Sequence, residues 1–132
     1  METTPRYKYC SFDAENSILY HSVSNENCGS EAAFVLSMSY LMTIMENLRP
    51  RHIIVKVFKK PDYFELQVKS FMETTFFRLI KDLGIRKVAF YIPEEYFNHH
   101  DLVEESNYTS LVKSKVFSNL EDARRWVLCA DL

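Results

Sequence analysis

The stretch Lys87-Val88-Ala89-Phe90-Tyr91-Ile92 decides the fold of this chain. A short apolar run of this kind, stopped here by Pro93, is typical of a buried strand. Further along, Lys115-Val116-Phe117 leads directly into Ser118-Asn119-Leu120-Glu121. The second of these segments has the form of a capping box and predicts the start of a helix. A strand that feeds a helix more than once predicts parallel strand pairing and an α/β domain.

The N-terminal part of the chain, about residues 7–23, predicts a β-hairpin. Tyr7 to Asp13 and Ile18 to Val23 each alternate in polarity, and they flank a short polar turn. In the second segment, Leu19, His21 and Val23 fall on one face of the strand. A chain of 132 residues has room for one hydrophobic core, so we predict a single domain over residues 1–132.

The longest helical pattern runs from Ser30, a plausible N-cap, to Leu48. Its main apolar stripe consists of Phe34, Met38, Leu41, Met45 and Leu48. A second set, made of Ala33, Leu36, Tyr40 and Ile44, widens the stripe. We therefore expect this helix to be buried over most of its surface. Arg49-Pro50 ends it, because proline disfavours helical geometry in the residue before it.

The middle of the chain predicts a central strand followed by a helix. His52 to Phe58 is β-branched and almost entirely apolar, as in strands covered on both faces. Asp62 opens a second capping box, and Gly84 suits the position after that helix, where the backbone turns left-handed. We expect a mixed sheet of about five strands, covered by helices that begin near Ser30, Asp62 and Asn119. Trp126, in the apolar stripe of the third helix, should be substantially buried.

Composition and charge exclude several classes of function. The net charge of −2 gives no general attraction to nucleic acid, so we predict no nucleic-acid partner. Cys10, Cys28 and Cys129 are widely spaced and odd in number, as expected for reduced thiols in a cytosolic protein. No apolar run follows the N-terminus, and none approaches the ~20 residues of a membrane span. These observations predict a cytoplasmic protein without a membrane span.

Three stretches of the sequence are similar to a known family: Leu79 to Pro93, Glu94 to Phe97 and Val116 to Val127. Together with the element order hairpin, helix, strand, helix, strand, strand, helix, they resemble STAS domains. The closer likeness is to small stand-alone bacterial proteins called SpoIIAA-like, which also resemble the CRAL/TRIO lipid-binding fold. The likeness covers about Ile18 to Leu128. It implies the STAS fold and a regulatory function exerted through protein contacts.

One segment departs from the family pattern. In the phosphorylated anti-sigma-factor antagonists, the corresponding central strand is followed by a D-x-S-G-type turn. Here the sequence reads Lys59-Lys60-Pro61-Asp62-Tyr63 and contains neither serine nor threonine. The resemblance therefore does not extend to a switch operated by phosphorylation.

The chain shows no strong catalytic or metal-binding pattern. His99-His100-Asp101 is the densest group of ligand-type side chains, but adjacent histidines point in different directions and no third ligand is evident. Cys28 precedes the first helix, whose dipole would favour a thiolate, yet no histidine is placed beside it. We therefore predict no enzyme, no cofactor and no metal. A small hydrolase using Cys28 remains an open alternative.

A set of methionine and phenylalanine residues could line a pocket for an apolar ligand. The set comprises Met38, Met42, Met45, Met72, Phe71, Phe76 and Phe77. Their helical spacing predicts core residues first. Methionine also suits adaptable cavities, and the CRAL/TRIO likeness implies an apolar-ligand or lipid carrier as the alternative function.

The partner-binding site is predicted from the sheet topology. If the strands at Ile53–Phe58, Val88–Ile92 and Ser114–Phe117 run parallel, their C-terminal ends share one edge, where partners of open α/β sheets bind. The residues expected there are Lys59, Lys60, Asp62, Tyr63, Tyr96, His99 and His100. We predict a non-enzymatic protein-interaction or regulatory module with a protein partner of unknown identity, itself a monomer or weak homodimer.

Overall fold

A computed structural model describes residues 9–24, 29–57, 72–92 and 113–129. The strands are β1 (Cys10–Asp13), β2 (Ile18–Val23), β3 (His52–Val57), β4 (Lys87–Tyr91) and β5 (Lys113–Phe117). The helices are α1 (Glu31–Leu48), α2 (Phe77–Asp82), which continues a π-helical turn (Met72–Phe76), and α3 (Leu120–Leu128). The predicted α/β class, with a five-stranded mixed sheet and helices packed against it, is confirmed.

The sheet follows the order of the chain, β1-β2-β3-β4-β5. Strand β1 pairs antiparallel with β2, which confirms the predicted hairpin, and each later pair is parallel. The register places Leu19 opposite Ile53, and Ile53 opposite Val88. The C-terminal ends of β3, β4 and β5 therefore lie at one edge of the sheet, as expected.

Helices cover both faces of the sheet. Successive side chains of a strand point to opposite faces, so each strand contributes residues to both apolar clusters. One face packs against α1 and α2 through a large apolar cluster that includes Leu19, Ile53 and Val88 from the strands. The other face packs against α3 through a smaller cluster of Ile18, Ile54, Ala89, Ala123 and Val127. The nearly continuous apolar sequence of β3 is explained by this two-sided burial.

Helix α1 begins as the sequence predicts but is less buried than expected. The hydroxyl of Ser30 accepts a hydrogen bond from the Ala33 N–H at 3.1 Å, which makes Ser30 the N-cap. The main apolar stripe packs into the core, with Phe34, Met38, Leu41 and Met45 buried and Leu48 partly buried. The widened stripe was wrong for Leu36 and Tyr40, which are 59% and 52% exposed. These two side chains lie on the side of the helix turned away from the sheet.

Helix α2 ends at the predicted glycine. Gly84 has φ +80°, and its N–H donates to the Lys81 carbonyl while the Ile85 N–H donates to the Ile80 carbonyl. This pair of bonds satisfies carbonyls in the last turn that would otherwise lack partners. The predicted start of the helix near Asp62 lies outside the described residues.

Helix α3 is capped by Asn119, whose side chain accepts from the Asp122 N–H at 3.1 Å. The capping residue is thus one position later than Ser118, because the extended backbone at Asn119 turns its side chain back onto the first turn. Trp126 is partly buried at the side of the second core cluster, while Ala123 and Val127 occupy the side of α3 nearest the sheet. The Trp126 ring packs against Phe117 at a centroid distance of 5.7 Å.

Candidate functional site

The partner-binding residues predicted from the sequence all lie outside the described part of the chain. They are Lys59, Lys60, Asp62, Tyr63, Tyr96, His99 and His100. Val57, Tyr91 and Phe117 end their strands at the sheet edge to which these segments connect. The predicted patch at that edge stays a prediction.

A different surface, on α1, stands out among the described residues. The α1 outer face consists of Ala32, Leu36, Ser39, Tyr40, Thr43 and Asn47, all of them exposed. Among the described residues, three large apolar side chains are exposed to solvent. Leu36 and Tyr40 lie on this face, and Leu128 lies on α3. Because they are four residues apart on one helix, Leu36 and Tyr40 lie side by side.

The α1 outer face is also unusual in its polarity. No residue from Ala32 through Met45 carries a charge, although exposed helix faces are commonly charged. The Ser39 hydroxyl donates to the Val35 carbonyl at 2.8 Å, and the Thr43 hydroxyl donates to the Ser39 carbonyl at 3.2 Å. Both hydroxyl protons are thus used within the helix. If a partner covered this face, both hydroxyl hydrogens would keep their acceptors within the helix.

A buried polar network lies on the opposite side of α1. His21, on the core-facing side of β2, is fully buried. Its Nδ1 atom lies 3.4 Å from the Cys10 Sγ, and its Nε2 atom lies 3.3 Å from the Ser37 Oγ. The imidazole therefore links β1 to α1 through the interior, and Ser37 is itself only 2% exposed.

Burial controls the protonation of this network. Desolvation lowers the pKa of His21 to about 4 and raises the pKa of the Cys10 thiol to about 12. At neutral pH the network therefore consists of a thiol, a neutral imidazole and a hydroxyl. A neutral imidazole donates from one ring nitrogen and accepts at the other, so it can bond to both partners. The arrangement resembles a nucleophile with its base, but the thiol is held in its unreactive form.

The histidine and cysteine sites that the sequence suggested are only partly covered by the described residues. Cys28 and the sequence His99-His100-Asp101 lie outside them. The other two histidines, His21 and His52, do not lie opposite each other, since His52 pairs with Ile18 while His21 pairs with Val55, three residues further along the two strands. Among residues 9–24, 29–57, 72–92 and 113–129, no group of three His, Cys, Asp or Glu side chains could hold a metal ion.

The methionines and phenylalanines considered for a ligand cavity are core residues where the structure describes their side chains. Met38, Met45, Phe76 and Phe77 are buried with at most 1% exposure, and Met42 is partly buried against them. The rings of Phe76 and Phe77 meet edge to face at 5.2 Å. These side chains fill the space between α1, α2 and the sheet. Phe71 lies outside the described residues, and the side chain of Met72 is not described.

A half-buried polar cluster joins α3 to the β1–β2 hairpin. The Arg124 Nε donates to the Tyr20 hydroxyl at 2.9 Å, and an Arg124 terminal nitrogen lies 3.8 Å from the Asp13 carboxylate. The Lys56 ammonium lies 5.4 Å from the Tyr20 ring centroid. Hydrogen bonds from Asn16, more than the charge of Arg124, lower the pKa of Asp13. These contacts attach α3 to the hairpin.

Comparison with known proteins yields no relative from which a function could be inferred. No family model matches the chain, and neither a curated protein nor a solved structure shows significant similarity to it. Among the described helices, none is long and apolar enough to cross a membrane.

The sequence did not lead us to the burial of His21 or to the exposed α1 outer face, although it contains a pattern that indicates each of them. His21 shares its face of β2 with Leu19 and Val23, an apolar pattern that indicates a buried imidazole. The signal for the α1 outer face is the absence of charge from Ala32 through Met45. From the widened apolar stripe we expected burial over most of the helix, whereas Leu36 and Tyr40 are exposed.

Proposed function

We propose that this protein is a non-enzymatic protein-interaction module of the STAS, SpoIIAA-like type, and that it docks through the α1 outer face. The observation that carries the proposal is the exposure of Leu36 and Tyr40 on a helix that has no charge from Ala32 through Met45. Contiguous apolar surface on a soluble domain marks interaction sites. Tyrosine is enriched at the centre of interfaces, from which charged residues are depleted.

The composition of the face favours a protein over a lipid surface. Helices that lie on membranes carry lysine or arginine on their polar side, which attracts anionic headgroups. Helix α1 contains no lysine or arginine from Glu31 to Leu48. Its outer face offers apolar contact area with hydroxyl groups already bonded, which suits packing against another protein element.

Two earlier predictions stand beside this one. The patch at the sheet edge, centred on Lys60, Tyr63 and Tyr96, would provide a second contact surface on the same module. The apolar-ligand carrier remains the alternative, and its support is the CRAL/TRIO likeness. A lipid bound in stoichiometric amount, detected by native mass spectrometry of protein purified from its own cells, would favour the carrier.

Site-specific photo-crosslinking tests the docking face. Benzoylphenylalanine is introduced at Leu36 in the full chain, and the cells that naturally produce the protein are irradiated. The matched control carries the same amino acid at Leu128, which is 43% exposed on α3 among Glu121, Arg124 and Arg125. Both positions are exposed and apolar, so they differ mainly in the surface that they probe.

The proposal expects discrete protein adducts from position 36 and none of the same mass from position 128. Absence of protein adducts at position 36, with the variant folded by circular dichroism, would overturn it. Adducts of equal mass and yield at both positions would also contradict it, because they would indicate unspecific collision.

A further inference from the structure

We infer that the polar cluster on the α3 side of the sheet is a binding site for a small oxyanion, a carboxylate or phosphate group, held by the Lys56 ammonium and the Tyr20 hydroxyl. The site lies on the opposite face of the sheet from α1, so it is separate from the proposed docking face. It adds the binding of a small ligand to the interaction function proposed above.

The register of the sheet brings the side chains of this site together. Ser22, Lys56 and Tyr91 pair in one row across β2, β3 and β4. Tyr20 lies two residues before Ser22 and therefore on the same face of the sheet. The Lys56 ammonium lies 5.4 Å from the centroid of the Tyr20 ring. All four side chains are half-buried, so a ligand among them would be partly shielded from water.

The charge of Lys56 has no carboxylate partner in the part of the chain that the structure describes. The ion pairs found there involve arginines of α3 instead. Asp13 pairs in register with Ile18, whereas Lys56 pairs with Ser22, four residues further along β2 and about 13 Å away along the strand. The Asp13 carboxylate therefore lies beside Arg124 and does not neutralise Lys56. A half-buried cation of this kind is stabilised when an anion binds beside it.

The Tyr20 hydroxyl has a hydrogen left to donate. Its oxygen accepts a hydrogen bond from the Arg124 Nε at 2.9 Å. A phenol also carries one donor hydrogen, and no hydrogen bond among the described residues uses it. Accepting from a cationic group polarises the hydroxyl and makes it a stronger donor. The ammonium and this hydroxyl both require an acceptor, and an oxyanion can satisfy the two together.

The location of the row indicates where the rest of the ligand would lie. Lys56 is one residue from the end of β3, and Tyr91 ends β4. Ligands of open α/β sheets bind at the C-terminal edge of parallel strands. Phe117 pairs with Tyr91 in register, which adds a second ring at this edge. We therefore expect a small molecule whose oxyanion contacts Lys56 and whose apolar or aromatic part lies along Tyr91 and Phe117.

Amide NMR spectra of the ¹⁵N-labelled full chain, recorded during a titration, test the inference. Sodium phosphate and sodium acetate are the two probes, each added at fixed pH and ionic strength so that screening stays constant. A bare anion makes few contacts, so we expect saturable shifts at residues 20–22 and 55–57 with a Kd on the order of 1 mM. A response to phosphate alone assigns the site to phosphate-bearing ligands, and a response to acetate alone assigns it to carboxylates. A response to both supports the shared oxyanion chemistry.

Three variants locate the site. Lys56→Met keeps most of the apolar stem but removes the ammonium, and it should weaken binding of the responding probe about ten-fold or more. Tyr20→Phe keeps the ring beside Lys56, removes the hydroxyl and should also weaken binding. Lys115→Met is the matched control, because the Lys115 ammonium lies 5.6 Å from the Phe117 ring centroid but is exposed, and that ring carries no hydroxyl. Binding by this control should equal that of wild type.

Three results would refute the oxyanion site. They are the absence of saturable shifts with both probes, a Lys56→Met variant that binds like wild type, and equal losses in Lys56→Met and Lys115→Met. The last result would indicate general attraction to positive charge. Circular dichroism melts establish that each variant is folded, and Tyr20→Phe decides the outcome if Lys56→Met is not. Absence of crosslinks at position 36 would leave this site unaffected, since the two surfaces lie on opposite sides of the domain.

Discussion

The Nζ atom of Lys87 lies 2.6 Å from the carbonyl oxygen of Cys129, which joins the first residue of β4 to the end of α3. The same ammonium donates to the Trp126 carbonyl at 2.9 Å and lies 5.1 Å from the centroid of the Trp126 ring. Carbonyls in the last turn of a helix lack intrahelical donors, and a cation there is stabilised by the helix dipole. Lys87 is 5% exposed, so its burial is explained by these acceptors.

Replacing Lys87 by methionine should therefore destabilise the domain. Lys87→Met keeps most of the apolar stem but removes both hydrogen bonds, and we expect the free energy of unfolding to fall by about 1–3 kcal/mol. Urea denaturation measures the change. Lys81→Met, at an exposed position in the last turn of α2, is the control and should stay within about 0.5 kcal/mol of wild type. Equal stability of Lys87→Met and wild type would show that the contact contributes nothing.

The buried imidazole of His21 should make stability fall in mild acid. Its pKa is about 4 in the folded protein and 6.5 as the ordinary value, so the unfolded chain binds more protons between these pH values. The stability that comes from burying His21 in its neutral form is fully present above pH 6.5 and is lost as the pH falls toward 4. Since each pKa unit corresponds to 1.36 kcal/mol, the loss should reach roughly 3 kcal/mol. Denaturant unfolding of wild type across this pH range measures it.

Two variants separate this effect from general acid denaturation. His21→Leu removes the titrating group, and its stability should depend less steeply on pH between 4 and 6.5 than that of wild type. Cys10→Ala removes a contact of the imidazole but keeps the imidazole, and the Cys10 thiol does not titrate in this range because its pKa is raised to about 12. Cys10→Ala should be less stable and keep the wild-type pH slope. Parallel slopes for wild type and His21→Leu would contradict the assignment.

Backbone conformation at two helix ends predicts opposite outcomes for two substitutions. Arg49 follows α1 with φ +51°, and Gly84 follows α2 with φ +80°. This left-handed region costs a residue with a side chain roughly 1–2 kcal/mol, and glycine nearly nothing. Arg49→Gly should therefore raise the thermal midpoint and Gly84→Ala should lower it, although a Cβ at Gly84 would meet no atom within 4 Å. Calorimetric melts that move both midpoints in the same direction would refute the argument.

The fold was predictable where local patterns agree with the tertiary environment. The apolar run at β4, the Ser30 cap and Gly84 after α2 each have a local physical cause, and the structure confirms all three. Helix α1 shows where this reasoning stops. Periodicity identified the buried stripe of this helix. It does not distinguish an apolar residue that packs in the core from one that is exposed, such as Leu36.

The buried network around His21 was less predictable than the fold because it depends on contacts between distant parts of the chain. Cys10 and Ser37 meet His21 only after the hairpin forms and α1 packs across it. A sequence pattern places His21 on the inner face of β2 but does not select its neighbours. The predicted sheet-edge residues, from Lys59 to His100, lie in segments that the structure does not describe.

The order of the strands has a consequence for how the domain acquires its structure. Because each of the described strands from β2 to β5 pairs with the strand before it, this sheet can grow from one edge to the other without inserting a late segment between paired strands. Each addition closes a loop no longer than one crossover connection, and such closures cost less entropy than pairing the chain ends. Helix α3 follows all five of these strands in the chain and covers the second face of the sheet by packing on β3, β4 and β5. On the ribosome, the chain can therefore assemble its β1-to-β4 sheet before the segment that covers that second face has emerged.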